Sequence, residues 1–196
     1  MSVQRIWIAI GSAALVAVLI VGLSQAGGGG SDHPRSAAPA KSLVAKQLAG
    51  APAPLAGLHA QAGELLPGGP DAYKARIASL KGYPIVVNKW ASWCGPCRAE
   101  FPDFQKASLK YGKRVAFMGI DGNDNRGDAQ RFLAQYPVPY PSYEDGDNRI
   151  AQVFNGVIAF PTTVFYDRAG KLSYLHNGQY LTGAKLEQDI QRYALR

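Results

Sequence analysis

"WASWCGPCRAEFP", residues 90 to 102, holds both cysteines of a 196-residue chain. A lone C-x-x-C can be half of a zinc site or a redox dithiol, and ligand count separates the two. A closed zinc site takes four ligands. No second C-x-x-C exists, and His33, His59 and His176 are scattered without an H-x3-5-H pair. Covalent haem attachment fails as well, because Arg98 and not histidine follows Cys97. A reversible disulfide or an inert buried pair remains, and the flanking residues must decide between them.

Upstream, "PIVVNKW" (84 to 90) is a β-branched run of the kind that forms a buried strand. Downstream, the segment from Cys94 to Tyr111 puts Phe101, Phe104, Ser108 and Tyr111 on one helical face. If Cys94 is the last residue before that helix, its sulfur faces the unpaired N–H groups and the positive end of the helix dipole. A thiol so placed titrates below its usual value of about 8.5, toward 7 or lower, and becomes the attacking nucleophile near neutral pH. Cys97 lies one turn inward on the same face, near enough for a disulfide and more shielded, so it is the expected resolving thiol. Pro96 suits a first turn, where its missing N–H has no partner to lose. Pro102 falls in the helix interior, where it either kinks one helix or separates two short ones.

The rest of the chain alternates. "DAYKARIASLKG" (71 to 82) predicts a short helix, "RVAFMGI" (114 to 120) a second strand and "GDAQRFLAQY" (127 to 136) a second helix. "PYPSYE" suggests a short strand and "DNRIAQVF" a helical turn or two. "TTVFYD" and "KLSYLHN" flank the turn "RAG" as an antiparallel hairpin, and Leu186, Ile190 and Tyr193 mark a closing helix. From Leu43 to Gly69 the pattern is poor, and a small β-hairpin is the expectation there. Strand-helix-strand order followed by a hairpin and a helix is an α/β sandwich pattern.

The amino-terminal end differs in kind. Residues 6 to 23, "IWIAIGSAALVAVLIVGL", carry no charge and span about 27 Å as a helix, close to a bilayer's hydrocarbon thickness. Their length favours a membrane anchor, while "SQA" at 24 to 26 has the form of a signal cleavage site. Either way the remainder is exported, and Arg5 orients it away from the cytoplasm. The expected organisation is an anchor or signal over 1–26, a Gly/Ala/Ser/Pro-rich tether over 27–45 and one domain over 46–196. The net charge is +7, of which residues 1–50 carry +3 through Arg5, Arg35, Lys41 and Lys46 against Asp32. No basic cluster with interleaved aromatics occurs, so the surplus fits an anionic membrane surface and gives no support to nucleic-acid binding.

"WCGPC" between a buried strand and a proline-containing helix resembles thioredoxin, and "FPTTVFYDRAGKL" (160 to 172) resembles the later strand where thioredoxins set a cis-proline against the dithiol. Forty residues separate Asp121 from Pro161, room for one inserted helix and strand, and with the amino-terminal anchor this is similar to the TlpA/ResA/DsbE branch of extracytoplasmic thioredoxin-like proteins. The resemblance implies a three-layer thioredoxin-like sandwich with a TlpA-type helix-strand insertion, preceded by an N-terminal transmembrane helix.

It also implies a dithiol-disulfide exchange enzyme with Cys94 and Cys97 as its redox pair and Pro161 as the cis-proline. Trp93, Gly95, Pro96, Phe160 and Pro161 would then line the edge that docks an extended substrate. Asn88 stands where thioredoxin has a buried aspartate. Glu100 matches a glutamate that branch members place near the dithiol, where a desolvated carboxyl can exchange protons with Cys97; a solvated helix-face charge is the other reading. Trp90 is expected to pack in the core. No cofactor or metal is implied. Partners would be thiols and disulfides of exported proteins, and a membrane thiol reductase or quinone-linked redox protein.

Lys89 departs from the branch, which has a bulky apolar residue there. Its head is expected to snorkel to water past its buried stem, with a reach to Glu100 as the alternative. Direction of electron flow is the open question. Thioredoxin, which shares the Gly-Pro dipeptide, has a potential of about −270 mV and the oxidant DsbA about −120 mV, so Gly95-Pro96 leans toward a reductant. A DsbE-type oxidase is the rival, and a copper(I) carrier using Cys94, Cys97 and His176 is a reading of another class.

Overall fold

The computed structural model describes residues 41–195, with side chains from residue 44. The expected anchor and most of the tether lie outside the described residues. Among the described residues no helix is long and apolar enough to cross a membrane.

The stretch expected as a hairpin folds instead as two short helices, Lys41–Leu48 (α1) and Ala53–Ala60 (α2), and a two-residue strand, Leu65–Leu66 (β1). Pro54 sits in the first turn of α2, where a missing N–H costs nothing, and Leu55 and Leu58, three apart, bury the inner face. Gly50 makes the turn between the helices at a φ of 76°, a conformation glycine adopts without strain. Helical structure therefore begins inside the segment read as tether.

From there the elements follow the expected order: Pro70–Ser79 (α3), Ile85–Trp90 (β2), Gly95–Tyr111 (α4), Ala116–Gly122 (β3), Arg126–Gln135 (α5), Ser142–Asp145 (β4), Arg149–Gln152 (α6), Thr162–Tyr166 (β5), Leu172–Asn177 (β6) and Gly183–Asp189 (α7), which continues as a π-helical turn, Ile190–Ala194. The helix α4 runs through Pro102 as one element.

The strands form one six-stranded sheet in the order β1-β4-β3-β2-β5-β6. The first four are parallel, while β5 is antiparallel to β2 and β6 to β5. The inserted α5 and β4 extend the sheet on the far side of β3.

Strand alternation divides the core. Val86 and Trp90 of β2 face Phe101, Phe104 and Tyr111 of α4, Phe132 of α5 and Leu186 of α7. Ile85 and Val87 face Leu55 and Leu58 of α2, Tyr73 and Ile77 of α3, and Ile150 of α6. Helices on both faces of a mostly parallel sheet make the three-layer, thioredoxin-like α/β sandwich.

Candidate active site

Cys94 caps the N-terminus of α4. Its backbone is extended (φ −82°, ψ 106°), and its Sγ accepts a hydrogen bond from the Cys97 N–H at 3.1 Å. The two sulfurs are joined at 2.04 Å. Both cysteines are buried, whereas Gly95 and Pro96 between them are exposed. A sulfur bonded to the first-turn amide is where the helix dipole stabilises negative charge, so a thiolate released there by reduction is favoured.

Trp93, next to Cys94 in sequence, links this turn to the end of β3 and to the segment before β5. Trp93 is 55% exposed beside Cys94, and its indole N–H donates to the Asn123 carbonyl at 2.9 Å, just beyond β3. Its ring lies 4.9 Å from that of Phe160. The Phe160–Pro161 peptide, immediately before β5, is cis, and Pro161 is buried with its carbonyl accepting from the Gly178 N–H. Trp90 is fully buried and stacks on Phe132.

Glu100 is fully buried, one turn after Cys97 on the same helix. One carboxyl oxygen accepts from the Asn88 side-chain amide at 2.8 Å and the other from the Tyr180 backbone N–H at 3.0 Å. Burial pushes its pKa up to about 8 against the lowering effect of those two bonds. The solvated helix-face reading of Glu100 is thereby excluded. Tyr180, in the loop before α7, has no motif to announce it; only a search for a buried donor facing Glu100 would find it.

Neither expectation for Lys89 holds. Alternation sends Asn88 to the α4 face and Lys89 to the opposite one, so Lys89 does not meet Glu100. It does not snorkel either, being fully buried. Its Nζ donates to the main-chain carbonyls of Gly156 (2.7 Å), Val157 (2.8 Å) and Ala159 (3.3 Å), and lies 3.6 Å from the centre of the Phe160 ring. Burial lowers its pKa to about 8, with Asp145 acting in the opposite direction.

A second carboxyl that sequence reasoning passed over is Asp121 in β3. It is buried, and desolvation, with Asp124 hydrogen-bonded beside it, raises its pKa to about 8. His176, in β6, stacks on the ring of Tyr180. Among the described residues no three His, Cys, Asp or Glu side chains gather as a metal site, so Cys94, Cys97 and His176 do not form the ligand set a copper carrier requires.

A family model described as Redoxin matches residues 49–190. The thiol:disulfide interchange protein HelX of Rhodobacter capsulatus is 36% identical over 122 residues, covering 62% of this chain and 67% of HelX. The thiol-disulfide oxidoreductase ResA of Bacillus thuringiensis is 26% identical over 124 residues, 63% of this chain and 68% of ResA. Among solved structures, a secreted disulfide oxidoreductase of Mycobacterium tuberculosis, homologous to DsbE of E. coli, superposes with a TM-score of 0.53 at 27% identity, covering 59% of this chain and 85% of the other.

Proposed function

From the premise that this chain belongs to the redoxin family and is a thiol-disulfide oxidoreductase of ResA/DsbE type, we propose that it works as a reductant of exported proteins, with disulfides of the apocytochrome c kind as its substrate class. The observation that carries the exchange chemistry is the cap bond from the Cys97 N–H to the Cys94 sulfur. The Gly95-Pro96 pair supports the reducing direction.

In the forward reaction the Cys94 thiolate attacks one sulfur of the substrate disulfide, breaking that S–S bond and forming a mixed disulfide. The released substrate thiolate takes a proton. Cys97 then loses its proton and attacks Cys94 Sγ, closing the Cys94–Cys97 disulfide and expelling the second substrate thiolate, which is protonated in turn. Two electrons pass to the substrate, and an upstream membrane thiol reductase or quinone-linked redox protein must resupply them. Glu100, ionising near pH 8 one helical turn from Cys97, is the group that takes up and returns the Cys97 proton. Trp93, Gly95, Pro96, Phe160 and Pro161 form the docking edge. Residues 6–23 hold the domain to the outer side of the membrane, with release by cleavage after residue 26 as the other arrangement.

The Cys97→Ser variant should accumulate a covalent complex with substrate, and Cys94→Ser should not. The direction is read from the reduction potential of the full chain in glutathione or dithiothreitol buffers. A value near or below about −270 mV supports the reductant, and one near −120 mV makes the protein an oxidase. Wild-type protein that reduces no disulfide, together with a Cys97→Ser variant that traps none, would overturn the catalytic reading.

A further inference from the structure

Residues 156–160 lead directly into Pro161, and before Phe160 little side-chain packing holds them. Ile158 is 97% exposed and Val157 37%, so the apolar side chain at the tip stands in solvent. What ties the loop to the sheet is main chain: three of its carbonyls turn inward onto the Lys89 ammonium, and Thr162 Oγ1 donates to the Ala159 carbonyl at 2.9 Å. An ammonium has three N–H donors, and here all three are used by one loop.

The same ammonium sits over the Phe160 ring, which also touches Trp93 beside the dithiol. Close packing at Gly122 marks the convergence. A Cβ there would lie 2.9 Å from Lys89 Cε and 3.2 Å from Phe160 Cζ, so the strand is a glycine where the lysine stem and the ring cross it. Asp145, the carboxylate that favours the charged lysine, is bonded to the Ile150 and Ala151 N–H groups at the start of α6 and leaves the lysine's donors to the loop.

We infer that Lys89 is a positioning residue for substrate docking: its ammonium straps the 156–160 loop to β2 and fixes Phe160 where it touches both the ammonium and Trp93, so that the edge before Pro161 is already in place when an extended substrate arrives. A buried charge satisfied by main-chain carbonyls and a ring face does what an apolar residue at this position cannot, because an apolar side chain has no donors to turn a loop's carbonyls inward. The inference rests on the reading of Phe160 and Pro161 as the docking edge, and is independent of the direction of electron flow.

The test compares two substrates of the full chain: a synthetic peptide closed by one C-x-x-C-H disulfide, which needs the edge, and 2-hydroxyethyl disulfide, which is too small to use it. In Lys89→Met the peptide reaction should fall about tenfold more than the small-disulfide reaction, through KM more than kcat, with the reduction potential unmoved. Lys89→Arg should recover part of the peptide KM. Equal losses on both substrates, or no change in their ratio, would overturn the inference. Should Lys89→Met fail to fold, Gly122→Ala decides: its methyl crowds both the lysine stem and the Phe160 ring, so the same selective rise in peptide KM is required, and an unchanged ratio overturns the role. A wild type that reduces the small disulfide and never the peptide strikes at the docking-edge reading itself.

Discussion

Asn88 and Lys89 are neighbours in sequence that serve opposite faces of one strand. The Asn88 amide holds a carboxyl of the redox helix, while the Lys89 ammonium holds a loop on the other side of the strand. At the redox helix the proposed proton carrier is Glu100. Because its pKa is raised to about 8, the group is mostly protonated at neutral pH and can both give and accept a proton there. Glu100→Gln should slow resolution of the mixed disulfide by about a hundredfold. Stopped-flow rates of that step should rise through about pH 8 in the wild type and lose this inflection in the variant. A variant whose profile keeps the inflection would assign it to another group. Most of this site is legible in the sequence, because C-x-x-C, Glu100 and Pro161 belong to local motifs. Tyr180 and the carbonyls of residues 156–159 were not, since main-chain partners leave no side-chain signature. Strand alternation alone, applied to residues 86 to 90, was enough to forbid a Lys89–Glu100 pair.

At the level of elements, the inserted strand β4 is tied to β2 by a side-chain hydrogen bond that passes over β3. Trp90 Nε1 donates to Ser142 Oγ at 3.1 Å across Gly119, where a Cβ would meet that Oγ at 2.1 Å and the indole nitrogen at 2.8 Å. Gly119→Ala must push the two partners apart in a fully buried layer, and should cost about 1–3 kcal/mol. Urea unfolding would show this as a lower midpoint with the slope unchanged. The insertion itself could be read from the spacing between Asp121 and Pro161, and α5 from its periodicity. The elements before α3 could not. In "APLAGLHA" the glycine, proline and alanines imitate turn chemistry, and the helix is marked only by Leu55 and Leu58. The strand β1, two residues long, is a single period of the alternation that identifies strands, so no pattern repeats in it.

Across the whole molecule, among the described residues, Glu100, Asp121 and Lys89 are each displaced to a pKa of about 8, and each makes stability depend on pH. Glu100 and Asp121 are raised from 4.5 and 3.8 to about 8, so between those limits the folded chain holds protons that the unfolded chain has released. Their contribution is complete below the unfolded values and is lost as pH rises through about 8. Lys89 acts on the other side. Its folded pKa is lowered from 10.5 to about 8, so the cost of its buried charge is present below about 8 and is relieved as pH climbs toward 10.5. The oxidised protein, in which neither cysteine titrates, should therefore lose stability from pH 5 to 8 by an amount on the order of a few kcal/mol, and level off or recover above pH 8. Urea midpoints across this range provide the measurement. Glu100→Gln and Asp121→Asn should each flatten part of the fall, and both together most of it, because the two carboxyls lie on different elements. A double variant that keeps the full decline would mean that these carboxyls are already ionised in the fold at neutral pH, and that Glu100 has no proton to hold for Cys97.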